Sequence, residues 1–127
     1  MFLFKKKKEK AAKEEAVPAL DREELLAKAE EIQKELSKLS GDERIRALNE
    51  LGGLYFEAEE TDRAISAYET SLEESKALGK AYTDLLKLYN IKRREASEAK
   101  DDAKMKEYMD KIDGLMKLSK DVIRGKA

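Results

Sequence analysis

The densest groups of chemistry-bearing side chains in this sequence are carboxylates: Glu57, Glu59, Glu60 and Asp62 in one stretch, Asp101 and Asp102 in another. Clustered carboxylates can hold a hard cation or, beside a lysine, relay a proton. Neither use is specified here. A calcium loop needs Asp or Asn at alternate positions, then Gly and a closing Glu, and that spacing is absent. Di-iron sites built on helices need Glu-x-x-His, and the chain contains no His and no Cys. Those two zeros exclude Ser-His-Asp and Cys-His catalysis, zinc or haem sites built on His or Cys, disulfides and a histidine pH switch. Gly52-Gly53 is no phosphate loop, because its neighbours read as helix interior. With 28 acidic and 27 basic residues in a chain of 127, chance clusters are expected, and nothing selects a catalytic pair. No enzyme, cofactor or metal site is expected.

The remaining candidates are surfaces. Residues 1–10 carry a net charge of +4, from Lys5, Lys6, Lys7, Lys8 and Lys10 against Glu9, so the rest carries −5. A weakly acidic body is poor material for nucleic-acid binding, which needs a basic face. Met1-Phe2-Leu3-Phe4 followed by lysines could touch an anionic membrane, but so few apolar residues make a weak anchor. The order of apolar and basic residues is also the reverse of a secretory signal. A basic flexible tail over residues 1–19 and a cytoplasmic location are expected. Lys92-Arg93-Arg94 reads as a surface cluster paired along its helix with Glu95 and Glu98. Met105, Met109 and Met116, with Tyr108 and Ile112, form an apolar stripe. It is expected to be core packed on the preceding helix, with a partner or homodimer surface as the alternative.

These side chains must be positioned by helices. Ala, Leu, Glu and Lys dominate the composition, and such residues lose little rotamer freedom in a helix. Apolar residues recur at three- and four-residue steps over five segments within a domain spanning 20–126. The first runs from Asp21, a cap for Glu24, through Leu25, Ala29, Ile32, Leu36 and Leu39 to a stop at Ser40-Gly41. The second follows a Ser40 cap and ends near Glu59. The third is capped by Thr61-Asp62 and stopped by Gly79. The fourth runs from Lys80 to about Ala99. The fifth starts at Asp101-Asp102 and ends at Gly125. Short loops make neighbours antiparallel. The fold class is all-α, built of antiparallel helix-turn-helix units.

Two segments repeat. Leu48-x2-Leu51-Gly52-x2-Tyr55 is followed by Ala64-x3-Tyr68, and 34 residues beyond Leu48 stands Tyr82-x2-Leu85-Leu86-x2-Tyr89. This pattern resembles the tetratricopeptide repeat (TPR): a large apolar residue, Leu, a small residue and Tyr on a first helix, then Ala and an aromatic on a second. Residues 45–78 match a whole repeat, and 82–89 the first half of another. The small Gly52 and Ala64 would let helices approach closely, with Tyr55 and Tyr68 filling the space between them. Leu86, where the small residue belongs, should widen its helix contact. The second unit's later helix comes late, so the fourth helix should be about two turns longer than standard, through Ile91 to Lys100.

The resemblance implies a protein-binding adaptor with a concave groove lined by the first helix of each unit. Its groove face would be Arg46, Asn49, Glu50, Gly53, Phe56 and Glu57, then Lys80, Thr83, Asp84, Lys87, Asn90 and Ile91. A subgroup grips carboxylate termini of chaperones with Lys, Asn and Arg. Gly53 and Asp84 stand at two of those positions, so that clamp is not expected here. The expected partner is another protein or peptide, with a structural homodimer, or an adaptor recruited to the membrane surface by its basic tail, as the alternatives.

Overall fold

The computed structural model describes residues 18–125. Among them the chain forms five helices and no strand, an all-α fold. They are α1 (Pro18–Glu35), α2 (Gly41–Glu57), α3 (Thr61–Ser75), α4 (Lys80–Glu98) and α5 (Asp102–Ile123), with a 3-10 turn at Leu36–Lys38 closing α1. Each helix packs on the next, and α2 also reaches α4, a neighbour-to-neighbour arrangement consistent with a helical repeat. No helix among the described residues is long and apolar enough to cross a membrane.

Several helix ends differ from expectation. The tail expected over residues 1–19 lies outside the described residues except for Pro18 and Ala19, which open α1. Proline is tolerated there because the first N–H groups of a helix have no partner in any case. Asp21 is therefore inside α1 and not at its cap. Helix α3 stops at Ser75, not at Gly79, because Lys76 turns left-handed (φ 54°) and returns its N–H to Leu72 O at 2.8 Å. Gly79 instead precedes α4. Glu60, not Thr61, is the residue before α3. Ser40 sits at the start of α2 without a side-chain capping bond. Asp101 does cap, accepting the Lys104 N–H at 3.1 Å.

The two helical hairpins close alike. After α2, Glu59 is left-handed (φ 63°), with Glu59 N donating to Phe56 O and Glu60 N to Tyr55 O. After α4, Lys100 is left-handed (φ 57°), with Lys100 N donating to Ser97 O and Asp101 N to Ala96 O. This is the two-bond helix stop usually made with glycine. Tyr55 and Tyr89 are 34 positions apart, but these turn residues are 41 apart. The extra seven residues are about two helical turns. They lengthen α4 beyond Tyr89, as the late fifth helix suggested.

The core is one continuous layer between the helices. Ala29, Leu48, Leu51, Ala64, Tyr68, Leu72, Leu85, Leu88, Tyr89, Tyr108 and Leu115 are buried in it. Tyr55 is buried at its edge, and Tyr82 is half-buried against it. A Cβ on Gly52 would stand 2.7 Å from Cε1 of Tyr68, so that ring lies directly on the α2 backbone. The expected core stripe on α5 is only partly core. Tyr108 and Leu115 are buried and Ile112 half-buried, but Met109 and Met116 are 50% and 47% exposed. The helix turns about 100° per residue, which sets Leu115 toward α4 and the methionines on an adjoining arc.

Candidate functional site

A cleft of about 590 Å³ opens between α2 and α4, lined by Asn49, Glu50, Gly53, Leu54, Phe56, Glu57, Lys80 and Asp84. Its floor follows from the two successive glycines of α2. Gly52 admits the Tyr68 ring beneath the helix. Gly53 leaves room on the other side, where an added Cβ would be 3.5 Å from both Lys80 Cε and the Tyr68 hydroxyl. Lys80 thus lays its aliphatic stem across from α4 to α2, covering apolar surface while its ammonium reaches a carboxylate.

That carboxylate is Asp84, which is buried. The Tyr68 hydroxyl donates to its Oδ2 at 2.7 Å and Lys80 Nζ at 2.8 Å. Burial alone would raise the Asp84 pKa. The hydrogen bonds from Lys80 and Tyr68, with the charges of Lys80 and Lys87, outweigh it and hold the carboxyl below its ordinary range. The same link, with burial as the larger cause, pushes the Tyr68 phenol well above its ordinary value. A buried ionised carboxylate needs such partners to stay charged.

Of the twelve groove positions expected from the sequence, Asn49, Glu50, Gly53, Phe56, Glu57, Lys80 and Asp84 line this cleft. Arg46, Thr83 and Lys87 are exposed outside its lining, and Asn90 and Ile91 are half-buried outside it. Some of the polar residues are already committed within the chain. Asn49 accepts from the buried Ser71 hydroxyl at 2.6 Å. Asn90 donates to Leu86 O and accepts from Arg93. Asp84 is fastened to Tyr68 and Lys80. What the cleft displays is the exposed pair Glu50 and Glu57, with the exposed Lys80 that pairs with Asp84, beside the half-buried Leu54 and Phe56. Leu54 escaped sequence reasoning because it falls between the groove-face and packing positions of the repeat pattern.

A second cluster joins α3, α4 and α5. The Tyr89 hydroxyl donates to Glu69 Oε2 at 2.5 Å, and Lys111 Nζ reaches the same oxygen at 3.1 Å. Burial, then the bond to Glu69, raises the Tyr89 pKa. Lys92 keeps Glu95 of its own helix at 4.0 Å, as expected, and also reaches across to Asp62 of α3, more closely, at 3.0 Å. That bond raises its pKa, and its ammonium also lies 6.0 Å over the Tyr108 ring. Arg44, beside another cleft between α1 and α3, is tied to Glu74 and Leu36 O. These groups hold helices together.

Among the described residues no group of three His, Cys, Asp or Glu side chains is arranged to hold a metal ion. Compared with family models, curated proteins and solved structures, the chain matches none.

Proposed function

We propose that this chain is a protein-interaction module of the tetratricopeptide kind, an adaptor that holds a peptide in the cleft between α2 and α4. The observation that carries this reading is the cleft itself, open to solvent and edged by two carboxylates next to apolar surface. Support comes also from the 34-residue spacing that puts Tyr55 and Tyr89 at matching places on α2 and α4. Mostly apolar clefts with a few placed charges are the ordinary form of a binding site.

The charge pattern names the class of ligand. Glu50 and Glu57 favour a peptide carrying Lys or Arg, and Leu54 and Phe56 give the cleft apolar surface for an apolar side chain. The Asp84–Lys80 pair is neutral as a unit and serves as the floor.

The test is selection of peptides from a random display library on the immobilised full chain, followed by affinity measurement. Enriched peptides should carry a large apolar residue flanked by basic ones. Phe56→Ala and the double variant Glu50→Gln/Glu57→Gln should each weaken them at least about tenfold, equivalent to ~1.4 kcal/mol. Selected peptides that bind both variants as tightly as the parent chain would sink the reading.

A further inference from the structure

The outer arc of α5 has a regular pattern that the core uses only in part, through Ile112, and that the cleft does not touch. Met105, Met109, Ile112 and Met116 follow one another at steps of four, three and four. This is the spacing at which two helices pair along a shared seam. In the monomer Met109 and Met116 are about half exposed, and Met105 and Ile112 are half-buried. Ser119 breaks the seam toward the end of the helix.

We infer that this seam pairs with the same seam of a second copy, the two α5 helices running antiparallel about a two-fold axis between residues 110 and 111. In that register Met109 faces Ile112 of the second copy and Met105 faces Met116, and the symmetry repeats both contacts. Four apolar layers result. Sliding the pair one turn toward Gly125 would bring Ser119 into the seam in place of Met105.

Charge decides for a second copy and against an arbitrary apolar partner. The positions flanking the seam on its open side are Lys106 and Asp113, both exposed. The proposed register sets Lys106 of each copy beside Asp113 of the other, giving two opposite-charge pairs. Moving the axis by half a heptad sets Asp113 against Asp113, which is repulsive. Among the described residues Lys106 meets only the exposed Asp110, at 3.0 Å, a surface pair of little strength that can exchange partners. The opposite flank is formed by Tyr108 and Leu115, already covered in the core. A seam of four layers is smaller than a standard stable interface, so the dimer is weak and reversible.

Sedimentation equilibrium of the full chain between ~1 and ~100 µM tests this. The parent chain should pass from monomer to dimer over that range. Met116→Glu, at an exposed position, should weaken association at least about tenfold with helicity unchanged by circular dichroism. Met109→Gln serves as the second seam variant. Asp113→Lys should weaken association about tenfold, and Lys106→Asp/Asp113→Lys should restore it to within about threefold. A parent chain that stays monomeric at ~100 µM overturns the proposal. So do trimers or larger species, a Met116→Glu chain that dimerises like the parent, or a charge-reversed pair that fails to recover.

Discussion

In the α2–α3 hairpin a tyrosine ring rests on a glycine. In the α4–α5 hairpin the position 34 residues beyond that glycine is Leu86, half-buried against the core. There the aromatic contact is between two tyrosines, Tyr89 and Tyr108, with ring centroids 6.0 Å apart and planes tilted by 52°. Both hairpins close through the same left-handed turn, at Glu59 and at Lys100. The difference lies in what fills the space between helices. Where a helix has no side chain, its partner's ring meets the backbone and its hydroxyl passes through to the next helix, as Tyr68 does to Asp84. Where a leucine stands, the helices are joined instead by ring contact and by a Tyr89–Glu69–Lys111 link nearer the surface. The first arrangement also opens the cleft, because Gly53 leaves its floor to Lys80 and the Tyr68 hydroxyl.

The sharpest way to break this comparison is to give the first hairpin the second one's residue. Gly52→Leu should cost about 3 kcal/mol or more, since the side chain would enter a fully buried ring held by Asp84. Gly52→Ala should cost about 1–2 kcal/mol, its Cβ clash exceeding the helix propensity gained. Urea denaturation measures both, and a Gly52→Leu chain as stable as the parent would show that the ring has somewhere else to go.

The two phenols give the next contrast. Tyr68→Phe removes a donor from a buried carboxylate and should cost about 2 kcal/mol. Tyr89→Phe should cost about 1 kcal/mol, because Glu69 keeps Lys111 and is partly open to water. Equal losses for the two variants would erase the distinction between buried and peripheral links.

Acid should act where the first hairpin meets α4, at Asp84. The Asp84 pKa is lower in the folded chain than in the unfolded one. Its contribution is therefore complete above the ordinary carboxylate range and is lost as pH falls below ~4 through the folded value. In Asp84→Asn, stability measured from pH 6 to pH 2 should fall less steeply than in the parent. An identical slope would mean that Asp84 is not selectively stabilised as the anion.

The smallest effect has the opposite sign. Gly114, inside α5, faces open space: a Cβ added there would meet nothing within 4 Å. Gly114→Ala should stabilise by about 0.5–1 kcal/mol through helix propensity alone. Thermal unfolding of Gly52→Ala and Gly114→Ala should thus shift the midpoint in opposite directions.

Much of this architecture was legible in the sequence because helices announce themselves by period. The apolar steps from Leu48 to Tyr55 and from Ala64 to Leu72 lie on the buried faces of α2 and α3. The same rule misled on α5, whose apolar arc is wider than one neighbour can cover. Periodicity placed Met109 and Met116 with the core residues, and only packing separates the two arcs. The left-handed turns at Glu59, Lys76 and Lys100 carried no glycine to mark them. The cleft was half legible: the repeat pattern indicated its residues, but not that Asp84 turns inward. That depends on Tyr68, sixteen residues away, passing beside a glycine, a contact no local pattern records.

If α2 and α4 together hold a peptide, their amides must sense it. A nitrogen–proton correlation NMR titration of the labelled full chain with one library-selected peptide reads this without any substitution. The largest shifts are expected at residues 49–57 and 80–84, with residues 105–123 little changed. Shifts concentrated on α5, or on α1 and α3 with the cleft silent, would contradict peptide binding between α2 and α4.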